Sequence, residues 1–315
     1  MTASDSQYDR LRQELDEAAQ LIRSHAGPQE RGTGTAPALP LQSLLDQLHQ
    51  LQAQTEAQNA APIRLLKHFA CTGGTIISKC LAAMPNAVLL SEIDPLSVNH
   101  MTTPSKFAPT DLIKQMRYGR QGISDALAVE IFLGGLAPLH AALKRAGQRL
   151  ILREHSHSHY CTAADWRARP AVQEMLSRDY AVLPLISVRH PMSSFLSLKA
   201  AGWIQFAPAT LEEYARRYLA FLDDNATCPI VYYEDFVDTP ETVLENICRS
   251  LELRYDAQSS ALVMAIHMSG DSGRSSDEIA ARPARDIPDE IAEQSATSPA
   301  YAELCKRLRY PPLPG

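Results

Sequence analysis

Two short segments of this 315-residue chain combine the residue types that hold an anion. In the first, Cys71-Thr72-Gly73-Gly74-Thr75 stands directly ahead of the apolar stretch that begins at Ile76. Glycines let a backbone turn tightly and approach a ligand. A helix start offers free N–H groups, and the hydroxyls of Thr72 and Thr75 add donors, so the segment reads as a phosphate cradle. The competing reading is a strand-to-helix turn whose glycines serve packing alone. The second segment runs from Arg189 through Pro191 to Ser197. Pro191 can open a helix, with Ser193, Ser194 and Ser197 on its first turns and the planar fork of Arg189 just before it.

A kinase-type P-loop requires G-x-x-x-x-G-K-[ST]. Counted from Gly73, Ser78 stands where the second glycine belongs, Lys79 matches, and Cys80 replaces the hydroxyl. A thiol is not the hard oxygen ligand that magnesium prefers. A phosphoryl-transfer enzyme depends on that ion, whereas a sulfuryl group carries less charge. A third group, His155, His157 and His159, could share one face of an extended segment. With Cys161 nearby these residues invite a metal reading, but zinc ligands are usually drawn from separated segments, so no metal is expected. The histidines are instead expected to line an acceptor pocket as base or donors, or else to be solvated or capping; Arg153 and Glu154 are further pocket candidates.

These residues need elements to hold them. Short apolar runs at Ile63–Ala70, Val88–Ser91, Arg149–Arg153, Val182–Val188 and Ile230–Tyr233 read as strands. Helical stretches at Thr75–Ala83, Ile123–Ala146, Pro191–Ala201, Leu211–Asp223 and Pro240–Leu251 alternate with them. The expected fold is α/β, a parallel sheet flanked by helices with ligands at the carboxyl ends of the strands. Residues 1–60 differ. Two amphipathic helical stretches flank a Gly/Pro linker at 27–40, giving an N-terminal helical appendage to a domain spanning 61–315. This pair is expected to pack on its own domain or to mediate homo-oligomer formation.

Composition is that of a soluble globular chain, 45% hydrophobic and 21% charged, and the net charge of −6 argues against a nucleic-acid coat. Eight acidic and four basic residues fall within 1–60, which leaves only −2 for the rest and permits a local basic site there. No apolar run suggests a membrane span and no leader pattern is evident, so a cytoplasmic protein is expected. The six scattered cysteines fit reduced thiols.

Together the two anion segments resemble the sulfotransferases that use 3′-phosphoadenosine-5′-phosphosulfate (PAPS). Thr72-Gly73-Gly74-Thr75 resembles that family's 5′-phosphosulfate loop, of the S-G-T-T type, and Arg189 with Ser197 resembles its 3′-phosphate element. The stretch VYYEDFVDTPETVLENICRSLEL is similar to a later family segment that supplies a strand and the helix after it. Ser269-Gly270-Asp271-Ser272-Gly273-Arg274, followed by Arg282 and Arg285, echoes the C-terminal basic loop that closes the nucleotide site. The resemblance implies a P-loop-like sulfotransferase domain, PAPS as co-substrate without a metal, and sulfuryl transfer to a hydroxyl or amine of a small-molecule, glycan or peptide acceptor. It implies that Gly273 and Arg274 join Thr72, Gly73, Gly74, Thr75, Ile76, Arg189 and Ser197 at the nucleotide. The glutamate after the second strand, Glu92, resembles the catalytic base of the glycan- and protein-modifying branch, with His155 and His157 as the other candidates. One departure stands out. Where the family carries Lys or Arg before its Ser-Gly, this chain has Cys71, and Lys79 or Lys67 is the candidate to supply the charge. A P-loop kinase and an inactive sulfotransferase-like scaffold are the alternatives.

Overall fold

The computed structural model describes residues 61–98, 110–267, 279 and 285–314. The chain divides into two compact units, Met1–Gln58 and Asn59–Gly315. The expectations for residues 1–60, for Gly273 and Arg274 and for Arg282 lie outside the described residues.

Five strands form one all-parallel sheet: β1 (Ile63–His68), β2 (Ala87–Ile93), β3 (Arg149–Glu154), β4 (Val182–Val188) and β5 (Ile230–Tyr232), ordered β2-β3-β1-β4-β5. The helices between them are α1 (Gly74–Ala82), α2 (Leu112–Tyr118), α3 (Asp125–Arg145), α4 (Ser156–Tyr160), α5 (Val172–Leu176), α6 (Pro191–Ala200) and α7 (Leu211–Asp224). After β5 come α8 (Tyr233–Asp238), α9 (Pro240–Ser250), α10 (Asp289–Thr297) and α11 (Pro299–Leu308). A parallel sheet covered on both faces explains why β1 is buried at all six positions. Its Leu66 packs with Ile77 and Leu81 of α1 and Ile247 of α9, while Ile63 and Leu65 pack with Leu133 and Leu136 of α3. Beyond β1, Phe69 stacks on Tyr218 of α7 at 4.3 Å between ring centroids.

Two cations sit inside this central strand, each with a built partner. Arg64 Nε donates to the Leu251 carbonyl at 2.6 Å and so caps the end of α9. Lys67 Nζ donates to Asn225 Oδ1 at 2.5 Å and lies 3.7 Å from Glu154. Helix α3 corrects one expectation: by length and composition it is apolar enough to cross a membrane. One of its faces, with Ala128, Val129, Leu133 and Leu136, is buried in the core.

Candidate active site

The carboxyl ends of β1, β2, β3 and β4 open into one cavity of about 1000 Å³. Its first wall is the loop between β1 and α1. Gly73 is the N-cap of α1 at φ +88, in the left-handed region that glycine tolerates best. Gly73 brings no side chain to cap this helix and its first turn holds no acidic residue, so the positive end of its dipole faces the cavity without a local negative charge. Both glycines also have packing reasons. A Cβ on Gly73 would lie 2.2 Å from the Tyr233 ring, and one on Gly74 would lie 2.5 Å from the His68 ring. The two readings of this loop are therefore not exclusive: the buried side demands glycine, and the other side lines the cavity.

Three arginines line the same cavity. Arg189 places its guanidinium 4.7 Å from the centroid of Tyr233 and 3.4 Å from the Cys71 carbonyl. Arg153, at the end of β3, donates to Ser91 at 3.0 Å and approaches Thr75 Oγ1 at 3.5 Å. Arg285 enters from the C-terminal region. Ser197 lies one helix stretch beyond Arg189, its hydroxyl donating to the Ser193 carbonyl at 2.8 Å.

Glu92 faces these arginines because β2 is irregular. The register with β3 shifts between Leu90 and Ile93, and Glu92 adopts φ +60, a strained value for a residue with a Cβ. Its carboxylate meets Arg153 Nη1 at 2.9 Å and His155 Nε2 at 3.3 Å. The following turn is locked by Asp94, which takes a bidentate fork from Arg169 at 2.7 and 2.8 Å and a hydrogen bond from Ser158. Burial alone would raise the Asp94 pKa, but the Arg169 fork outweighs it and holds the carboxyl below the ordinary value. The lock ties the β2 turn to α4, and so holds Glu92 and His155 in register.

Several sequence expectations need correction. The histidine segment is not extended but the short helix α4, with His155 as its N-cap; the His155 and His157 rings meet edge to face at 6.0 Å, and His159 turns away from them. His155 and His157 line the cavity, and His157 donates to the Trp203 carbonyl at 2.9 Å. His159 is buried elsewhere, bonded to the Trp166 carbonyl at 2.9 Å. Thr72 does not offer its hydroxyl to a ligand; it is buried and donates to the Phe69 carbonyl at 2.7 Å. Thr75 and Ile76 remain on the cavity wall. Lys79 is buried on α1 and lies outside the cavity lining. Lys67 projects to the opposite face of β1 from His68 and is committed to Asn225 and Glu154. Neither lysine lines the cavity.

Sequence reasoning missed Tyr233 and Glu234, which follow β5. Glu234 accepts the His190 N–H at 3.0 Å and a hydrogen bond from Tyr310, while His190 Nε2 donates to the Pro311 carbonyl at 2.9 Å. The C-terminal residues thus brace the Arg189 loop. Their position past a strand end was the available signal.

No protein-family model matches the chain, and no curated protein matches it significantly. Among solved structures it is similar to the sulfotransferase domain of the Synechococcus PCC 7002 olefin synthase, with 17% identity over 81% of this chain and 97% of that one and a TM-score of 0.49. It is also similar to the sulfotransferase STF9 from Mycobacterium avium, with 15% identity over 88% of each chain and a TM-score of 0.43. For mouse sulfotransferase SULT7A1 complexed with PAP, identity is 11% over 80% of this chain and 88% of that one, with a TM-score of 0.43.

Proposed function

We propose that the protein transfers a sulfuryl group from PAPS to a hydroxyl or amine of an acceptor. The observation that carries this reading is the convergence, in one cavity, of an uncapped helix start, three arginines and the carboxylate of Glu92. The donor set suits a nucleotide with two anionic ends. The start of α1, with Thr75 and Arg153, would hold the 5′-phosphosulfate, and Arg189 with Ser197 the 3′-phosphate; Gly273 and Arg274 are proposed to complete the latter. PAPS supplies the activated sulfuryl group. The chain's own residues hold its charges and orient the acceptor, and Glu92 or His155 accepts the proton the acceptor loses. Glu92 and His155 stand 3.3 Å apart, so either can reach the same acceptor proton. Arg153, beside both Thr75 and Glu92, takes the place of the cation absent at Cys71.

The kinase alternative is disfavoured by residue chemistry. Cys80, where a P-loop kinase carries its magnesium-binding hydroxyl, is sealed in the core, and Lys79 lies outside the cavity lining. Calorimetry with 3′-phosphoadenosine-5′-phosphate (PAP) and with ATP tests the reading. PAP binding without magnesium supports it, and a preference for magnesium-ATP overturns it. Radiolabelled sulfuryl transfer to an acceptor panel then separates an enzyme from a binding scaffold.

A further inference from the structure

His68 carries a buried atom without a partner. It ends β1 beneath the first loop, is 6% exposed, and belongs to the cavity wall, yet its Nε2 makes no hydrogen bond among the described residues. A buried polar atom left unpaired is costly, so such atoms are rare in folded proteins. The rest of the ring is closely fitted. Nδ1 lies 2.5 Å from Ser187 Oγ, and Cγ and Cδ2 lie 2.5 and 2.6 Å from where a Cβ on Gly74 would stand. The absent side chain of Gly74 therefore makes room for an imidazole that reaches up from the strand below. Burial, and then the charge of Arg153, pushes the His68 pKa well below the ordinary histidine value. The ring is neutral and carries one N–H.

We infer that His68 binds the anionic group held by the first loop, donating its Nε2–H from beneath the cradle where a loop side chain would otherwise donate from above. The ligand class is a phosphate or sulfate ester, and the inference rests on the proposed function. Ser187 makes the arrangement available. Its hydroxyl can donate to His68 Nδ1, which leaves the proton on Nε2, or to the Thr72 carbonyl 3.3 Å away when Nδ1 holds the proton. An anion selects the first form, because the second presents it with a lone pair. A neutral donor also suits a site where Arg153 already brings a charge that burial makes expensive to duplicate. No proton is transferred, so this role is separate from that of Glu92 and His155.

The test uses the full chain labelled with ¹⁵N in its histidine rings and titrated with PAP, alongside calorimetry of wild type, His68→Phe and His68→Gln. PAP is expected to fix His68 as the neutral Nε2–H form, with a slowly exchanging ring proton. His68→Phe fills the volume without a donor and is expected to weaken PAP binding by roughly 10- to 100-fold, as for a lost hydrogen bond to a charged group. Gln, which can present an amide N–H, should recover part of the loss. Unchanged His68 ring signals on PAP binding, or equal affinity for wild type and a folded His68→Phe, overturn the inference. Should the Phe variant not fold, the wild-type ring signals decide by themselves. If wild type does not bind PAP at all, the functional reading fails instead, and titration with inorganic phosphate then tests His68 directly: a ring shift supports donation and no shift removes it.

Discussion

Substituting Gly73 by alanine tests the geometry of the first loop on two separable grounds. At φ +88 a Cβ is strained, at about 1–2 kcal/mol for a left-handed residue. The added methyl also falls 2.2 Å from Tyr233 Cδ2 and 2.8 Å from Cε2. Tyr233 is buried among Ile77, Leu81 and Phe236 and carries Arg189 on its face, so it cannot swing aside cheaply. Overpacking of this kind costs about 1–3 kcal/mol. Gly73→Ala should therefore lose about 2–5 kcal/mol, a large part of the roughly 5–15 kcal/mol that typical domains possess. Urea denaturation followed by circular dichroism measures the loss. The partition is checked by repeating the substitution in a Tyr233→Ala background, where the clash is gone and only the backbone cost of about 1–2 kcal/mol should remain. A Gly73→Ala variant within about 0.5 kcal/mol of wild type, the range of ordinary surface changes, would refute both the loop conformation and the contact.

Glu92→Gln should abolish sulfuryl transfer while leaving PAP affinity within a few-fold of wild type; an undiminished rate in the transfer assay removes Glu92 from the chemistry. Arg189→Ala should weaken PAP binding by roughly 10- to 100-fold in calorimetry, and Lys should restore only part of it because it cannot stack on Tyr233 as a planar fork does. Asp94→Asn leaves the half-buried Arg169 fork without its counter-charge and should cost about 2 kcal/mol of stability. The sign with pH follows from the lowered Asp94 pKa. Its contribution is present above the unfolded value of about 3.9 and is lost as pH falls through the folded value. Denaturation curves of wild type and variant should therefore converge below about pH 4 and stay apart at neutral pH.

The sheet was legible because a parallel sheet covered on both faces writes its strands as short runs rich in Leu, Ile and Val, even where β1 and β3 interpose charged residues. Val182–Val188 matches to the residue, and the other strands agree within a few. The longer helices were equally readable from their apolar faces. Short helices were not: α4 has five residues, too few to display a period, and its alternating Ser and His mimic a strand. The two loops that line the cavity were picked out by residue type, but side-chain direction was beyond reach. Thr72 and Thr75 are equivalent in sequence, yet one hydroxyl turns inward to Phe69 and the other meets Arg153. Lys67 fails as a substitute cation for a reason that strand alternation contains, since it and His68 point to opposite faces. The turn at Glu92 was beyond sequence as well, because a β-bulge has no residue signature here.

The strand order has a bearing on how the chain reaches this state. β1 is central and the earliest of the five along the chain, yet its partners are β3 and β4, and Arg64 waits for a carbonyl 187 residues away. Little of the sheet can close locally, so loop closure precedes most of the reward, which makes folding slow for a domain of this size. On a ribosome the strand that ends up most deeply buried emerges first and stays with open edges until β3 and β4 arrive. That interval is when the chain is most exposed to intermolecular strand pairing, a hazard set by the topology rather than by any weak contact in the folded protein.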